Sequence, residues 1–278
     1  MKKYRIFVDG SSGTTGLRIA DRLAARPEFE LLTIPEADRK DPNARAAVIN
    51  RSDLTFLCLP DAAAREIIPL VKEEVRILDT STAHRTASGW LYGMPELDNT
   101  RKALKTATRV AVPGCHKSMI AQYEADRTDE GLYAPRPYGL TLHHKHLPEM
   151  MAICGLHTAP VFCPVVADYY AGMETVVQLQ RSQLNGDAKD LASVLADYYA
   201  GSPVITVHPF DPDNMPGFLP SNALAGKDSM EIFVTASPDG GQIQLISRFD
   251  NLGKGSSGAA VQCMNLMLGL EETEGLAL

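Results

Sequence analysis

Short apolar runs alternate with longer mixed segments through the first third of the chain. Four of these runs are rich in strand-forming residues: YRIFV, FELLTI, LTFLCL and VRIL, which start at residues 4, 29, 54 and 75. The segments between them are compatible with helices. Strands that alternate with helices at this spacing fold into right-handed βαβ units around a parallel sheet. The pattern therefore predicts a doubly wound α/β domain at the start of the chain.

The turn between the first strand and the first helix is rich in glycine. In DGSSGTTG the glycines stand at 10, 13 and 16. This GxxGxxG spacing is a variant of the dinucleotide fingerprint, in which glycines allow a tight turn, the approach of a pyrophosphate and close packing of the helix. The alternative is a plain βα turn. The helix is predicted to turn one apolar stripe to the sheet, formed by Leu17, Ala20, Leu23 and Ala24.

The end of the second strand bears on the choice of cofactor. NAD sites usually have an acidic residue there, which holds the ribose 2′-hydroxyl. In TIPEADRKD, Glu36 follows a proline, and Arg39 and Lys40 come soon after. These two cations could meet a 2′-phosphate or could be solvated surface charges. We predict NADP(H) as the cofactor, with Arg39 and Lys40 at its extra phosphate.

Composition narrows the class of protein. With 45% hydrophobic and 22% charged residues, the 278-residue chain reads as a soluble globular protein long enough for two domains. Its net charge of −7 argues against a nucleic-acid partner, which would favour a basic excess. No apolar run approaches the length that spans a bilayer, and the first residues lack the pattern of a signal peptide. We expect a cytoplasmic protein that binds neither nucleic acid nor a membrane.

The five cysteines differ in their surroundings. Their irregular spacing fits neither a disulfide framework nor a zinc site. Cys58 and Cys263 lie in apolar runs and are predicted to be buried, and Cys154 and Cys163 look similar. Only Cys115, in VAVPGCHK, follows a Pro-Gly turn. It is therefore the candidate nucleophile.

A cluster of histidines offers Cys115 a partner. In GLTLHHKHLPEM an extended segment would place His144 and His146 on one face and Lys145 on the other. Paired histidines can bind a metal, but only Glu149 is nearby as a further ligand, so no metal site is expected. A histidine beside the cysteine would help to deprotonate the thiol and exchange protons with a developing alkoxide. This arrangement suits covalent catalysis.

Six motifs, in order along the whole chain, carry a family resemblance. They are GSSGTTG, LPD at 59–61, LDTSTAHR at 78–85, VPGC at 112–115, HKHLPEM at 144–150 and DNLGKGSSGAAVQ at 250–262. Together they resemble the shorter type of N-acetyl-gamma-glutamyl-phosphate reductase. Its relatives, aspartate-semialdehyde and glyceraldehyde-3-phosphate dehydrogenases, share a Rossmann domain followed by an α+β catalytic domain. The resemblance implies a Rossmann domain at residues 1–114 with 254–278, onto which the C-terminal helix packs, and a catalytic and oligomerisation domain at 115–253.

The resemblance also implies roles for individual residues. Cys115 would be the nucleophile and His146, rather than His144, the acid/base. The cofactor's phosphates would lie against the glycine-rich turn, at Gly10, Ser12, Gly13, Thr14, Thr15 and Gly16. Asn251 and Gly255 would lie near the nicotinamide.

Three residues are candidates from their place in the chain. Ser81 and Arg85 follow a parallel strand, where open α/β sheets gather their ligands. We predict that Ser81 contacts the cofactor, and that Arg85 and Lys145 anchor the phosphate or carboxylate of the substrate. For both cations the alternative is a solvated surface charge.

The implied reaction is the NADPH-dependent reduction of N-acetyl-glutamyl 5-phosphate to the semialdehyde and phosphate, through a cysteine thioester, in arginine biosynthesis. A homo-oligomer, dimer or tetramer, is implied too. Two alternatives stay open: another semialdehyde dehydrogenase of the superfamily, and a catalytically impaired nucleotide-binding protein.

One departure from the family bears on activity. In that family the cysteine is followed by a long segment that ends in a glycine-rich substrate loop, before a run similar to KSMIAQYE. Here Lys117 directly follows His116, so roughly 30 residues, about one βαβ unit, are absent. Either the protein lacks them or the printed sequence joins two stretches across them. Without them Cys115 would lose a helix N-terminus that favours thiolate, and the substrate would lose backbone donors.

Overall fold

The computed structural model describes residues 3–114 and 130–278. They form two compact units: residues 1–93 and 106–170 belong to the first, and residues 94–105 and 171–278 to the second, as far as each is described.

The first unit contains a six-stranded parallel sheet with strand order β2-β1-β3-β4-β6-β5. Its strands are β1 (Tyr4–Asp9), β2 (Phe29–Leu32), β3 (Leu54–Leu57), β4 (Arg76–Asp79), β5 (Leu91–Tyr92) and β6 (Arg109–Ala111). The first three helices are α1 (Thr14–Ala24), α2 (Pro42–Ile49) and α3 (Asp61–Ile67). The predicted parallel α/β domain is confirmed.

Apolar side chains of the strands and helices pack into a core in this unit. Phe7, Leu57 and Ile77 of the sheet are buried against Ile49 of α2 and Ile67 of α3. Helix α2 begins with Asp41, whose carboxylate accepts a hydrogen bond from the amide of residue 43 at 2.9 Å, followed by proline at the first helical position. Local signals and core packing therefore favour the same helix.

The predicted apolar stripe of α1 is right at Leu23, which is buried, and wrong at Leu17 and Ala24, which are exposed. The buried residues of α1 are Thr15, Gly16, Ile19 and Leu23, while Leu17 is 53% exposed and Ala24 is exposed. A side chain at Gly16 would collide with the carbonyl oxygen of Gly10, so the helix rests on the turn at that glycine. This contact sets the rotation of the helix and turns Leu17 outward.

The first unit continues beyond the parallel sheet. A two-stranded antiparallel sheet pairs β7 (Arg136–Pro137) with β8 (Val165–Val166), and α5 (Leu147–Cys154) lies between them in the chain.

The second unit is built on a mixed sheet. Its strands β9 (Met173–Gln180), β10 (Ile205–Val207), β11 (Met230–Ala236) and β12 (Gln242–Phe249) follow the order β10-β11-β12-β9. β10 is parallel to β11, and the other pairs are antiparallel. Helix α6 (Ala188–Tyr198) packs on this sheet, with Ala188 and Ala192 against Val234 and Ile243.

Two further helices belong to the second unit. They are α4 (Thr100–Leu104), which lies between β5 and β6 in the chain, and α7 (Gly258–Leu268), which follows a π-helical turn at Gly253–Ser257. All residues of α7 are buried, and α7 contacts α4. A helix that is mostly apolar belongs in a core, and its two polar residues, Gln262 and Asn265, are hydrogen-bonded there. The assignment of residues 1–114 with 254–278 to a Rossmann domain, and of residues 115–253 to a catalytic domain, stays a prediction.

Among the described helices, none combines the length and the hydropathy that crossing a membrane requires. The described residues also contain no group of three or more His, Cys, Asp or Glu side chains arranged to hold a metal ion.

Candidate active site

The glycine-rich turn packs tightly between β1 and α1. Gly10 has a φ of +87°, and a side chain there would strike the carbonyl oxygen of Cys58. The amide of Gly13 donates to the Gly10 carbonyl at 3.1 Å. Gly13 is the N-cap of α1, and no side chain caps the helix. The first-turn amides of α1 therefore form the kind of helix N-terminus that binds a pyrophosphate, so the turn fits a dinucleotide.

A cavity of about 440 Å³ borders this turn at the carboxyl ends of the strands. Crevices at this edge are where open α/β sheets bind ligands. Besides residues 58–61, Thr80, Thr82 and Gly114, its lining brings together seven of the predicted site residues: Gly13, Thr14, Gly16, Ser81, Arg85, Lys145 and His146. Their roles stay predictions.

The loop after β4 is shaped by a fully buried carboxylate, Asp79. Its Oδ1 accepts from the Ser81 amide at 2.9 Å, and its Oδ2 accepts from the Ser81 hydroxyl at 2.8 Å and contacts His84 Nδ1 at 2.6 Å. The His84 ring stacks on Trp90, with 4.1 Å between ring centroids. These contacts hold Ser81 at the cavity wall.

A second carboxylate, Asp61, holds the same loop from α3. It accepts hydrogen bonds from the amide of Thr82 at 3.0 Å and from the Thr82 hydroxyl. Burial alone would raise the pKa of Asp61, but the bonds from Thr82, followed by the attraction of Lys145 and Arg65, lower it. Lys145 therefore lines the cavity together with an ionised carboxylate.

Glu149 joins three side chains of the first unit. Its Oε2 contacts His146 Nδ1 at 2.9 Å and accepts from Arg85 Nη1 at 2.9 Å, and its Oε1 accepts from the Tyr92 hydroxyl at 2.7 Å. Burial would raise the pKa of Glu149, but the bond from His146, the charge of Arg85 and the bond from Tyr92 lower it to about 2. Because a carboxylate only accepts hydrogen bonds, this contact favours the tautomer in which His146 Nδ1 carries the proton and Nε2 is the nitrogen that can accept one.

The two candidate histidines have different surroundings. Residues 144–147 form a turn, in which the Leu147 amide donates to the His144 carbonyl at 3.0 Å, rather than the extended segment that the sequence suggested. His146 consequently lines the cavity beside Lys145. The His144 ring is buried at 5.7 Å from Tyr138 and 5.0 Å from Phe162, centroid to centroid. Burial, then the charges of His146 and Lys145, lower the pKa of His144.

Several predicted residues lie elsewhere. Arg39 and Lys40 are exposed after β2, and Arg39 pairs with Glu36 at 2.8 Å. Ser12 is exposed and Thr15 is buried in α1. None of these four lines the described cavity.

The remaining predicted residues lie in the second unit or outside the described chain. Asn251 accepts from the Gly172 amide at 2.9 Å, and Gly255 lies in the π-helical turn, where its amide donates to Asp250. Cys115, the predicted nucleophile, lies outside the described residues.

Asp61, Asp79, Tyr92 and Glu149 support the site in the folded protein, and the sequence alone indicates no role in the reaction for them. One local signal was present for Glu149, because His146 and Glu149 are three residues apart across the start of α5, a spacing at which side chains meet.

Solved structures with the same fold are aspartate-semialdehyde dehydrogenases. The Vibrio cholerae aspartate semialdehyde dehydrogenase II complexed with ASA is 14% identical, with a TM-score of 0.66 over 97% of this chain and 99% of that one. A probable aspartate-semialdehyde dehydrogenase from Pseudomonas aeruginosa is 15% identical, with a TM-score of 0.67 over 96% of this chain and 99% of that one. At these identities the likeness establishes the fold alone, which is a Rossmann-like sheet plus a separate mixed sheet.

Two family models match the chain. Residues 36–107 match the semialdehyde dehydrogenase NAD binding domain, and residues 102–251 match the semialdehyde dehydrogenase dimerisation domain. The first match supports the predicted NADP(H) cofactor.

Curated relatives are similar over nearly their whole length. The N-acetyl-gamma-glutamyl-phosphate reductase of Sinorhizobium medicae is 39% identical over 96% of this chain and 99% of its own. The N-acetyl-gamma-glutamyl-phosphate reductase 2 of Pseudomonas putida is 38% identical over 97% of this chain and 98% of its own.

The same alignments bear on the predicted absence of a family segment, which stays a prediction. The Sinorhizobium medicae alignment is 307 residues long, but 96% of this 278-residue chain is about 267 residues, so about 40 aligned positions have no counterpart here. The predicted place of the gap, between His116 and Lys117, lies outside the described residues.

The fold, both family models and the relatives agree with one another. The chain belongs to the N-acetyl-gamma-glutamyl-phosphate reductase family of NADP-dependent oxidoreductases.

Proposed function

We propose that this family member reduces N-acetyl-glutamyl 5-phosphate through a thioester on Cys115, releasing phosphate and N-acetyl-glutamate 5-semialdehyde. One observation supports this reaction most directly. His146, oriented by Glu149, lines the same cavity as the glycine-rich turn and as Gly114, the residue before Cys115. A nucleophile, a base and a dinucleotide turn are the parts that acyl-phosphate reduction requires.

The first half of the reaction forms the thioester. His146 Nε2 takes the thiol proton of Cys115, and the thiolate attacks the acyl carbon. The carbon–sulfur bond forms as the acyl–oxygen bond to phosphate breaks, and phosphate leaves with its electron pair. Lys145, which lines the cavity, is the proposed anchor for the phosphate.

The second half releases the aldehyde. NADPH, held by the glycine-rich turn, would supply a hydride to the thioester carbonyl carbon. His146 gives its proton to the resulting oxyanion, which produces a thiohemiacetal. His146 then removes that hydroxyl proton as the carbonyl re-forms and the carbon–sulfur bond breaks. The thiolate and the protonated histidine remain for the next turnover.

The cofactor and assembly proposals rest on different residues. We propose that the glycine-rich turn holds the pyrophosphate, that Arg39 and Lys40 complement the 2′-phosphate, and that Ser81, Asn251 and Gly255 contact the cofactor. We also propose a homo-oligomer, dimer or tetramer, which the match to a dimerisation domain supports, and a cytoplasmic location. Light scattering on the purified protein tests the assembly.

The covalent mechanism is tested by Cys115→Ser with Cys163→Ser as the matched control, since Cys163 is exposed and not buried as its sequence surroundings suggested. We expect Cys115→Ser to abolish turnover and retain NADPH binding, and the control to keep both. Turnover by Cys115→Ser would exclude the thioester. Measuring the phosphate-dependent oxidation of N-acetyl-glutamate semialdehyde against aspartate semialdehyde tests the substrate.

A second candidate function is nucleotide binding without turnover. The shortfall of about 40 aligned positions favours it, because the absent segment would carry substrate-binding backbone donors. The intact mass of the protein decides whether the segment exists. If the mass equals that of the 278 residues, NADPH binding with no thiol-dependent turnover would support this second function.

A further inference from the structure

The guanidinium of Arg85 donates hydrogen bonds to three backbone carbonyls of the first unit. Its Nε donates to the Val112 carbonyl at 3.1 Å, Nη1 to the Gly114 carbonyl at 3.3 Å, and Nη2 to the Thr80 carbonyl at 3.4 Å. Two of these carbonyls belong to the turn that leads into Cys115. A planar fork of donors holds several acceptors in a fixed relation, which a lysine cannot do.

Gly114 makes room for this fork. A side chain at Gly114 would place its Cβ 2.6 Å from Arg85 Nη2. The absence of a side chain at this glycine therefore leaves the space that the guanidinium occupies.

The same guanidinium links the turn to the histidine. Nη1, which binds the Gly114 carbonyl, also donates to Glu149 Oε2 at 2.9 Å, and that oxygen contacts His146 Nδ1. The Arg85 side chain is 4% exposed and that of Glu149 is 13% exposed. Because both charged side chains are buried, the loss of either one would leave the other as an unpaired buried charge, so each holds the other in position.

We propose that Arg85 and Glu149 form a positioning pair that holds the Val112–Gly114 turn in register with the His146 imidazole. This inference rests on the proposed function, in which Cys115 and His146 exchange a proton. It assigns Arg85 to positioning the site rather than to the substrate anchoring inferred from its place in the chain. Neither member of the pair is required to touch the substrate.

The first test compares Glu149→Gln and Glu149→Asp with Glu66→Gln, a matched control at an exposed position of α3. The amide of Glu149→Gln has the same shape but no charge to orient Nδ1–H. We expect kcat to fall on the order of 10- to 100-fold, as for a misplaced catalytic group, with the KM for NADPH within about twofold. Glu149→Asp should recover part of the loss, and the control should match the parent protein.

A double-variant cycle separates this inference from the proposed function. If Glu149 acts through His146, adding Glu149→Gln to His146→Asn should cost no further activity. Loss of activity in His146→Asn with kcat unchanged in Glu149→Gln would overturn the positioning role alone. Full activity in His146→Asn would overturn the acid/base assignment itself.

The arginine is tested by Arg85→Lys against Arg51→Lys, an exposed control. We expect Arg85→Lys to lower kcat by roughly 10- to 100-fold while NADPH binding persists. Circular dichroism and NADPH titration establish that each variant is folded.

If Glu149→Gln does not fold, Tyr92→Phe, which removes the donor to Glu149 Oε1, should still lower kcat by roughly threefold or more. Unchanged kcat in Arg85→Lys, or in Tyr92→Phe when that variant replaces Glu149→Gln, would overturn the proposal.

Discussion

Two buried ionic networks of this protein have different surroundings. In the first unit, Arg85 and Glu149 meet His146 at a cavity wall. In the second unit, Lys254 Nζ donates to Glu96 Oε1 and Gln262 Oε1, both at 2.7 Å, beneath the fully buried helix α7.

The two networks also end on different partners. In the second network, Gln262 Nε2 donates to Glu272 Oε1. Arg101 Nε and Nη2 donate to the same carboxylate at 2.8 Å and 3.0 Å. Those groups bind other side chains, whereas Arg85 ends on backbone carbonyls beside the predicted nucleophile. The second network, buried at Lys254 and Glu96, therefore serves shape and stability, and the network at the cavity serves position.

The largest effect is expected from Lys254→Met, which leaves the Glu96 carboxylate buried without its cation. Breaking a buried pair from one side costs roughly 3–5 kcal/mol in the free energy of unfolding. Urea unfolding measures the loss, with Lys189→Met at an exposed position of α6 as the control. A loss no larger than that of the control would mean that Lys254→Met does not leave Glu96 as an unpaired buried charge.

A large effect on binding is expected from Gly16→Ala, on the cavity side. The added methyl group would collide with the Gly10 carbonyl and push α1 off the glycine-rich turn. We expect NADPH affinity to fall by roughly tenfold or more, about 1.4 kcal/mol. Gly217→Ala, where nothing lies within 4 Å of the new Cβ, is the control. An unchanged NADPH affinity of Gly16→Ala would show that this turn does not bind the cofactor.

A smaller effect is expected in the acid stability of the first network. The pKa of Glu149 is lowered from 4.5 to about 2 in the folded protein. Its contribution to stability is therefore present above about pH 4.5 and lost as the pH falls toward 2. Between pH 5 and pH 3 the free energy of unfolding of Glu149→Gln should fall less steeply than that of the parent protein. Parallel curves for Glu149→Gln and the parent would show that the partners of Glu149 do not lower its pKa in the folded protein.

The smallest effect is expected at Arg39 and Lys40, which are exposed. Exposed ion pairs contribute roughly 0.2–1 kcal/mol each, so Arg39→Ala combined with Lys40→Ala should weaken NADPH binding by roughly 2- to 30-fold. NADH binding should not change, because NADH lacks the 2′-phosphate. Titration of both cofactors at matched salt is the measurement. Equal losses for NADPH and NADH would place the two cations away from that phosphate.

Periodicity and glycine spacing were enough to predict much of the first unit. The parallel sheet and the turn between β1 and α1 follow from short-range patterns, since strand runs, helix stripes and tight turns each depend on neighbours in the chain. The ordered motifs predicted the family correctly. Local pattern was not enough to set the rotation of α1, because the contact of Gly16 with the Gly10 carbonyl decides which residues face the sheet.

What the sequence by itself determined is the type of protein: a parallel α/β domain with a dinucleotide turn, a second α+β part and a family. Only the tertiary structure decided that His146 rather than His144 lines the cavity, and that Arg85 binds Glu149 and the Gly114 carbonyl. Arg85 and Glu149 are 64 residues apart in the chain. A charge in a sequence does not specify which distant opposite charge it will meet, because that pairing depends on how strands and loops assemble in space.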